Sequence, residues 1–216
     1  MCNAYNRLQQ TVRKFLVTAL WLGAATVAVF PLSAHGLQQS PVEVIRERNR
    51  TLERILGPED EEVSDATRER LKDVLNELVD FWELSRRSLG RHWSDLSEQQ
   101  QRDFVEVFEA LIRNSSVRKL SMYRADTVEY LASNETAETA TVTTTARRDR
   151  KEVEIIYHMH RVAGAWRIYD MVIDGASTVR SYRDSFYREI ARSSYQEMYE
   201  RLVRRLAEEE ISPATG

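Results

Sequence analysis

The sequence predicts an α+β fold on three observations: apolar residues at helical spacing up to about residue 118, period-two alternation between about 120 and 174, and helical spacing again from about 177 to 210. Helices, then strands, then a helix is not the alternating βαβ order of a parallel sheet. The expected body is a single domain over 37–216, with N-terminal helices packed on an antiparallel sheet and a long C-terminal helix.

Residues 1–36 stand apart from that body. Arg7, Arg13 and Lys14 precede an uncharged run from Phe15 to Phe30, and Pro31-Leu32-Ser33-Ala34-His35-Gly36 follows. A basic start, an apolar middle and small residues at Ala34 and Gly36 are the order of a secretory leader, with cleavage expected after Gly36. The apolar run falls short of the ~20 residues that a membrane-spanning helix needs, so a soluble exported chain is expected. Cys2, the one cysteine, lies in the segment to be removed, which leaves no disulfide, thiol nucleophile or lipid-bearing cysteine. The leader also takes three cations and no acid with it, moving the formal net charge from −3 to −6. An acidic mature chain argues against nucleic acid as the ligand.

The first helix is expected from Ser40-Pro41-Val42-Glu43, where serine can cap, proline suits the first helical position and Glu43 can reach back to the cap. It should end near Gly57-Pro58. A second runs from Ser64-Asp65 to near Gly90 on the stripe Leu71, Val74, Leu75, Leu78, Val79 and Trp82. A third opens at Ser97, with Gln100 completing a capping box, and buries Phe104, Phe108, Leu111 and Ile112.

Four strands follow, Met122 to Leu131, Thr136 to Ala146, Glu152 to Arg161 and Ala165 to Ile173, joined by short polar or glycine-containing turns as in an antiparallel meander. In the third, Val153, Ile155, Tyr157 and Met159 alternate with polar Glu152, Glu154, His158 and His160, which gives one dry and one wet face. From Ser177 to about Glu210 one long amphipathic helix is expected, with Val179, Tyr182, Phe186, Ile190, Met198, Leu202 and Leu206 on its apolar side.

Two segments carry more than pattern: Asp80-Phe81-Trp82-Glu83-Leu84-Ser85-Arg86-Arg87-Ser88-Leu89-Gly90-Arg91-His92-Trp93, and Gly164-Ala165-Trp166-Arg167-Ile168-Tyr169-Asp170-Met171-Val172-Ile173-Asp174-Gly175-Ala176-Ser177 with Ser181 to Phe186 after it. With Arg118-Lys119-Leu120, Tyr123 and Tyr130, they resemble the MlaC family of periplasmic phospholipid-binding proteins over about residues 41 to 208. The chain departs from that family at Ala176 and Thr178, where larger aliphatic residues are usual, and at Ser181 and Ser185, where amides are usual.

The resemblance implies a curved NTF2-like sheet under helices with an apolar pocket for acyl chains. It also implies a monomeric periplasmic carrier without cofactor, shuttling phospholipid between an outer-membrane lipoprotein complex and an inner-membrane ABC transporter with a lipid-binding ring. Phe81, Leu84, Phe104, Phe108, Val153, Ile155, Tyr157, Met159, Trp166, Ile168, Met171, Val172, Ile173, Val179, Tyr182 and Phe186 are the expected lining. Each is also a candidate for ordinary core packing.

Arg183 could meet a phosphate at the pocket mouth, or form an ion pair with Asp170 or Asp174. His158 and His160 share a strand face with Glu152 and Glu154, which reads as a solvated face before it reads as a metal cluster. Two other functions stay open. One is a small NTF2-like enzyme with Asp170 as base and Tyr169 or Tyr157 as its partner; the other is an adaptor with a solid core.

Overall fold

The structure, a computed structural model, describes residues 39–58, 63–119, 125–148 and 150–211. The expected leader lies outside them, as do Leu120, Met122 and Tyr123.

Serine hydroxyls start the helices where the sequence places them. Helix α1 (Pro41–Leu56) is capped by Ser40, whose Oγ accepts from the Glu43 N–H at 3.3 Å, and it ends at Gly57 with φ +62°. Glu43 does not reach back to the cap; its carboxylate pairs with Arg46 one turn on. Ser64 caps α2 (Asp65–Leu78) through the Thr67 N–H at 3.2 Å.

The apolar series that reads as one helix to Gly90 is broken after Leu78. Val79 is extended (φ −100°, ψ 136°), and α3 (Phe81–Leu89) restarts with the Asp80 carboxylate accepting the Glu83 N–H at 2.9 Å. The cause is twofold: Asp80 is a better cap than a mid-helix residue, and the backbone here is claimed by the sheet. Val79 bridges Ile168 in parallel, and the Asp80 N–H donates to the Ile168 carbonyl at 2.8 Å. The restart turns Trp82 out of the stripe, so that it is 44% exposed and packs edge-to-face on Trp93, ring centroids 5.2 Å apart.

A 3₁₀ turn (Gly90–Trp93) follows. Gly90 has φ +53°, a backbone conformation that favours glycine, and a Cβ there would press on the Tyr187 hydroxyl. Helix α4 (Glu98–Arg118) carries the expected capping box: Ser97 Oγ accepts from Gln100 N at 3.3 Å, and Gln100 Oε1 accepts from Ser97 N at 2.9 Å.

The sheet comprises β1 (Thr127–Glu135), β2 (Thr139–Arg148), β3 (Lys151–Val162), β4 (Ala165–Ile173) and a two-residue β5 (Ala176–Ser177). They lie in sequence order, all antiparallel. The outer edge of β4 is covered at one end by β5 and at the other by the Val79 bridge, which limits strand addition there.

The expected single C-terminal helix is two, α5 (Thr178–Arg192) and α6 (Tyr195–Ile211). Ser193 leaves helical geometry (φ −139°, ψ −100°), and Ser194 Oγ accepts the Glu197 N–H at 3.2 Å. Paired serines that can bond their own backbone outcompete continuation of the helix.

Three apolar clusters hold these elements together. The sheet cluster joins Ala140, Val142, Tyr157, Met159, Trp166 and Ile168 to Ile45 of α1 and Leu78 of α2. A helical cluster joins Leu84, Leu89, Phe104, Phe108, Val179, Phe186 and Met198 across α3 to α6. A smaller one packs Leu52, Leu56, Leu71, Val74 and Val117.

Asp80 ties the helical layer to the sheet, because its second oxygen lies 2.8 Å from His160 Nε2 on β3. Asp80→Ala is expected to lower stability by about 2–3 kcal/mol, from a lost cap and an unpaired half-buried imidazole. Urea unfolding measures it; a loss under ~1 kcal/mol would show that the tie contributes little.

Candidate functional site

Strand register sorts the sheet into two faces. Ala140, Val142, Thr144 and Ala146 of β2 pair with Met159, Tyr157, Ile155 and Val153 of β3. Tyr157 and Ile155 pair in turn with Met171 and Ile173 of β4. The β3–β4 register then shifts, with His158 opposite Asp170 and Met159 opposite Ile168, so Tyr169 is an extra residue and Ile168 and Trp166 rejoin the same face. This inner face also receives Tyr130 of β1, whose hydroxyl accepts from Asn49 Nδ2 of α1 at 3.0 Å and whose ring carries Arg46. Burial holds that phenol above its ordinary pKa, against the Asn49 hydrogen bond.

Burial on the inner face is graded. Met159 is 0% and Ile168 1% exposed under Ile45 and Leu78, and Tyr157 is 8% exposed. Toward the β2–β3 hairpin, Ile155, Val153, Met171 and Ile173 are only half-buried. An apolar face is thus closed at one end and incompletely covered at the other.

The structure divides the expected lining between two places. Val153, Ile155, Tyr157, Met159, Trp166, Ile168, Met171 and Ile173 share the inner face. Leu84, Phe104, Phe108, Val179, Tyr182 and Phe186 sit in the helical cluster, where Phe104 meets Phe108 and Phe186 at ring-centroid distances of 5.4 and 5.6 Å. Phe81 is buried at the start of α3. Val172 pairs with Ile156 on the opposite sheet face, because the extra residue Tyr169 inverts the alternation.

The ion-pair expectation for Arg183 does not hold: its Nε and Nη2 donate to the Arg87 carbonyl at 2.9 and 2.7 Å, closing the end of α3, and neither Asp170 nor Asp174 is its partner. Asp170 accepts from the Ser177 hydroxyl at 2.7 Å and from the Val179 N–H at 3.0 Å. The carboxylate fixes the start of α5.

The opposite face bears a polar cluster under α3. His160 meets Asp80, His158 stacks on Tyr169 (6.1 Å), and the Arg87 guanidinium lies 4.1 Å over the Tyr169 ring. Arg87 and Arg86 both bond Glu83; the Arg86 hydrogen bond, with that from Arg87, holds the Glu83 carboxyl below its ordinary range despite partial burial. Among the described residues, no three His, Cys, Asp or Glu side chains are placed to share a metal ion. No described helix is long and apolar enough to cross a membrane.

Sequence reasoning overlooked the two cations at the inner-face end of the β2–β3 hairpin, Arg148 and Lys151, which pair across the tip. The signal was present: the alternation read from Val153 to Met159 continues backward to Lys151.

Comparison with solved structures finds a phospholipid-binding protein from Ralstonia solanacearum, determined in complex with a phospholipid. It is 19% identical with a TM-score of 0.63, over 77% of this chain and 94% of that one. The α+β architecture expected from the sequence, a curved antiparallel sheet with helices packed on it, is the shared fold and is consistent with the NTF2-like type. No curated protein matches the chain by sequence. The family model described as MlaC protein matches residues 46–204, which takes in every strand and all the helices between α1 and α6. A match over that span reaches both the inner sheet face and the helices around it, and the chain belongs to the MlaC family.

Proposed function

We propose that this protein is a soluble phospholipid carrier that holds acyl chains against the inner face of its sheet. The observation that carries the reading is the graded face: four strands present apolar side chains to one side, and the helices cover them fully only at the Met159–Ile168 end. On β3 the half-covered positions are Val153 and Ile155, and on β4 they are Met171 and Ile173. Family membership and the lipid-bound relative support the same cargo.

Each methylene kept from water is worth about 0.8 kcal/mol, so a two-chain lipid leaves such a site for water very slowly. Transfer must then take place while the carrier is docked to a donor or acceptor, and a pocket resembling the bilayer in affinity keeps that exchange near balance. Membership of the family and the leader-like N-terminus support a periplasmic location. The same membership supports a place between an outer-membrane lipoprotein complex and an inner-membrane ABC transporter with a lipid-binding ring. Against the enzyme alternative, both oxygens of Asp170 accept hydrogen bonds at the start of α5, which gives the carboxylate a structural role.

Native mass spectrometry of the protein purified without detergent, followed by lipid extraction, tests the reading. Stoichiometric phospholipid is the expected result. An apo mass that persists after incubation with phospholipid vesicles would overturn it.

A further inference from the structure

The apolar rows of the inner face end in positive charge. In β3 the row Met159, Tyr157, Ile155, Val153 continues to Lys151, and in β2 the row from Ala140 to Ala146 continues to Arg148, with Ala146 opposite Val153 and Arg148 opposite Lys151. Strand alternation therefore puts both cations on the lipid-facing side. Arg147 is on the other side, where it meets Glu129 at 2.6 Å and Glu152 at 2.8 Å, so those two carboxylates are engaged away from the inner face. Lys151 is exposed and makes no ion pair among the described residues. Asp126 is the carboxylate that precedes β1 at this end, with its N–H on the Arg147 carbonyl at 2.7 Å.

We propose that Arg148 and Lys151 form the site for the phosphate of the bound lipid, an inference that rests on the carrier reading above. Two independent gradients coincide along these strands. Burial falls from Met159 through Tyr157 to Val153, which sets the open end of the face at the β2–β3 hairpin. Side-chain chemistry changes from apolar to cationic in the same direction. An amphiphile lying along the sheet with its chains toward Met159 brings its phosphate to the hairpin. There a guanidinium can offer two parallel N–H donors and an ammonium a compact charge. Neighbouring strands are ~4.8 Å apart, so side chains from the cross-strand pair can reach one phosphate together.

The test is a native mass spectrometry competition on the mature protein freed of copurified lipid, offered phosphatidylglycerol and a diacylglycerol with the same chains. The wild type is expected to favour the phosphatidylglycerol. Lys151→Gln should cut that preference about fivefold and Arg148→Gln/Lys151→Gln about 25-fold, with diacylglycerol uptake unchanged. A wild type without preference, or a double variant that keeps it, overturns the phosphate site while leaving the carrier reading intact. Uptake of neither lipid by the wild type overturns the carrier reading and the site with it. Lys151→Gln alters one exposed side chain at the hairpin, so it reads the site even if the double variant folds poorly.

Discussion

Phe104→Ala is expected to destabilise the protein by about 3–5 kcal/mol, lowering the thermal midpoint by roughly 10 °C. Phe104 is 0% exposed, and its ring meets Phe108, Phe186 and Tyr195 at centroid distances of 5.4, 5.6 and 6.5 Å. Truncation leaves a void bounded by three helices besides its own, α3, α5 and α6, and rigid aromatic neighbours fill such a void poorly. Thermal and urea unfolding measure the loss. The outcome also separates two roles for the helical cluster. A solid core gives the full loss with lipid content unchanged, whereas a chain-binding wall would give a loss below about 1 kcal/mol together with weaker lipid retention.

Ile155→Glu is expected to weaken phospholipid binding about 100-fold or more, while Ile156→Glu, one residue on, leaves it within a few-fold. The two side chains are both half-buried and differ chiefly in face: Ile155 lies between Thr144 and Ile173 on the inner side, Ile156 between Thr143 and Val172 on the other. A carboxylate beside acyl chains must be desolvated or exclude the lipid, at a cost of several kcal/mol, and ~2.7 kcal/mol is already 100-fold in affinity. Lipid retained per protein after gel filtration, with circular dichroism to establish folding, checks the pair. Equal loss in both variants would show that the inner face is not the binding surface.

Much of the fold was legible because its local signals are strong. Ser40, Ser64, Ser97 and Ser177 all accept the backbone N–H three residues on, as their positions before apolar stripes suggest. The alternation of Val153, Ile155, Tyr157 and Met159 is the inner face itself. What escaped is where non-local contacts override local pattern. Val79 and Trp82 continue a helical stripe on paper, yet the backbone at Val79 and Asp80 bonds Ile168, far along the chain. Val172 looks inward by simple alternation, and the extra residue Tyr169 turns it away. Arg183 invites a carboxylate, but the nearest need was the open carbonyl of Arg87. The candidate site was half legible, since spacing identifies apolar faces but not which of two apolar clusters is filled by its own side chains.

The Asp80–His160 contact joins residues 80 positions apart, and it has a consequence for the order in which the chain folds. The hairpins from Thr127 to Ile173 pair neighbours in sequence, so their loops close early and at small entropic cost. Docking α3 on the finished meander requires a far larger loop to close, and it is expected late. Substitutions at Asp80 should therefore accelerate unfolding while leaving the refolding rate nearly unchanged. In a newly made chain the apolar sheet face would form before its helical cover, so a lipid could meet that face before the fold is complete.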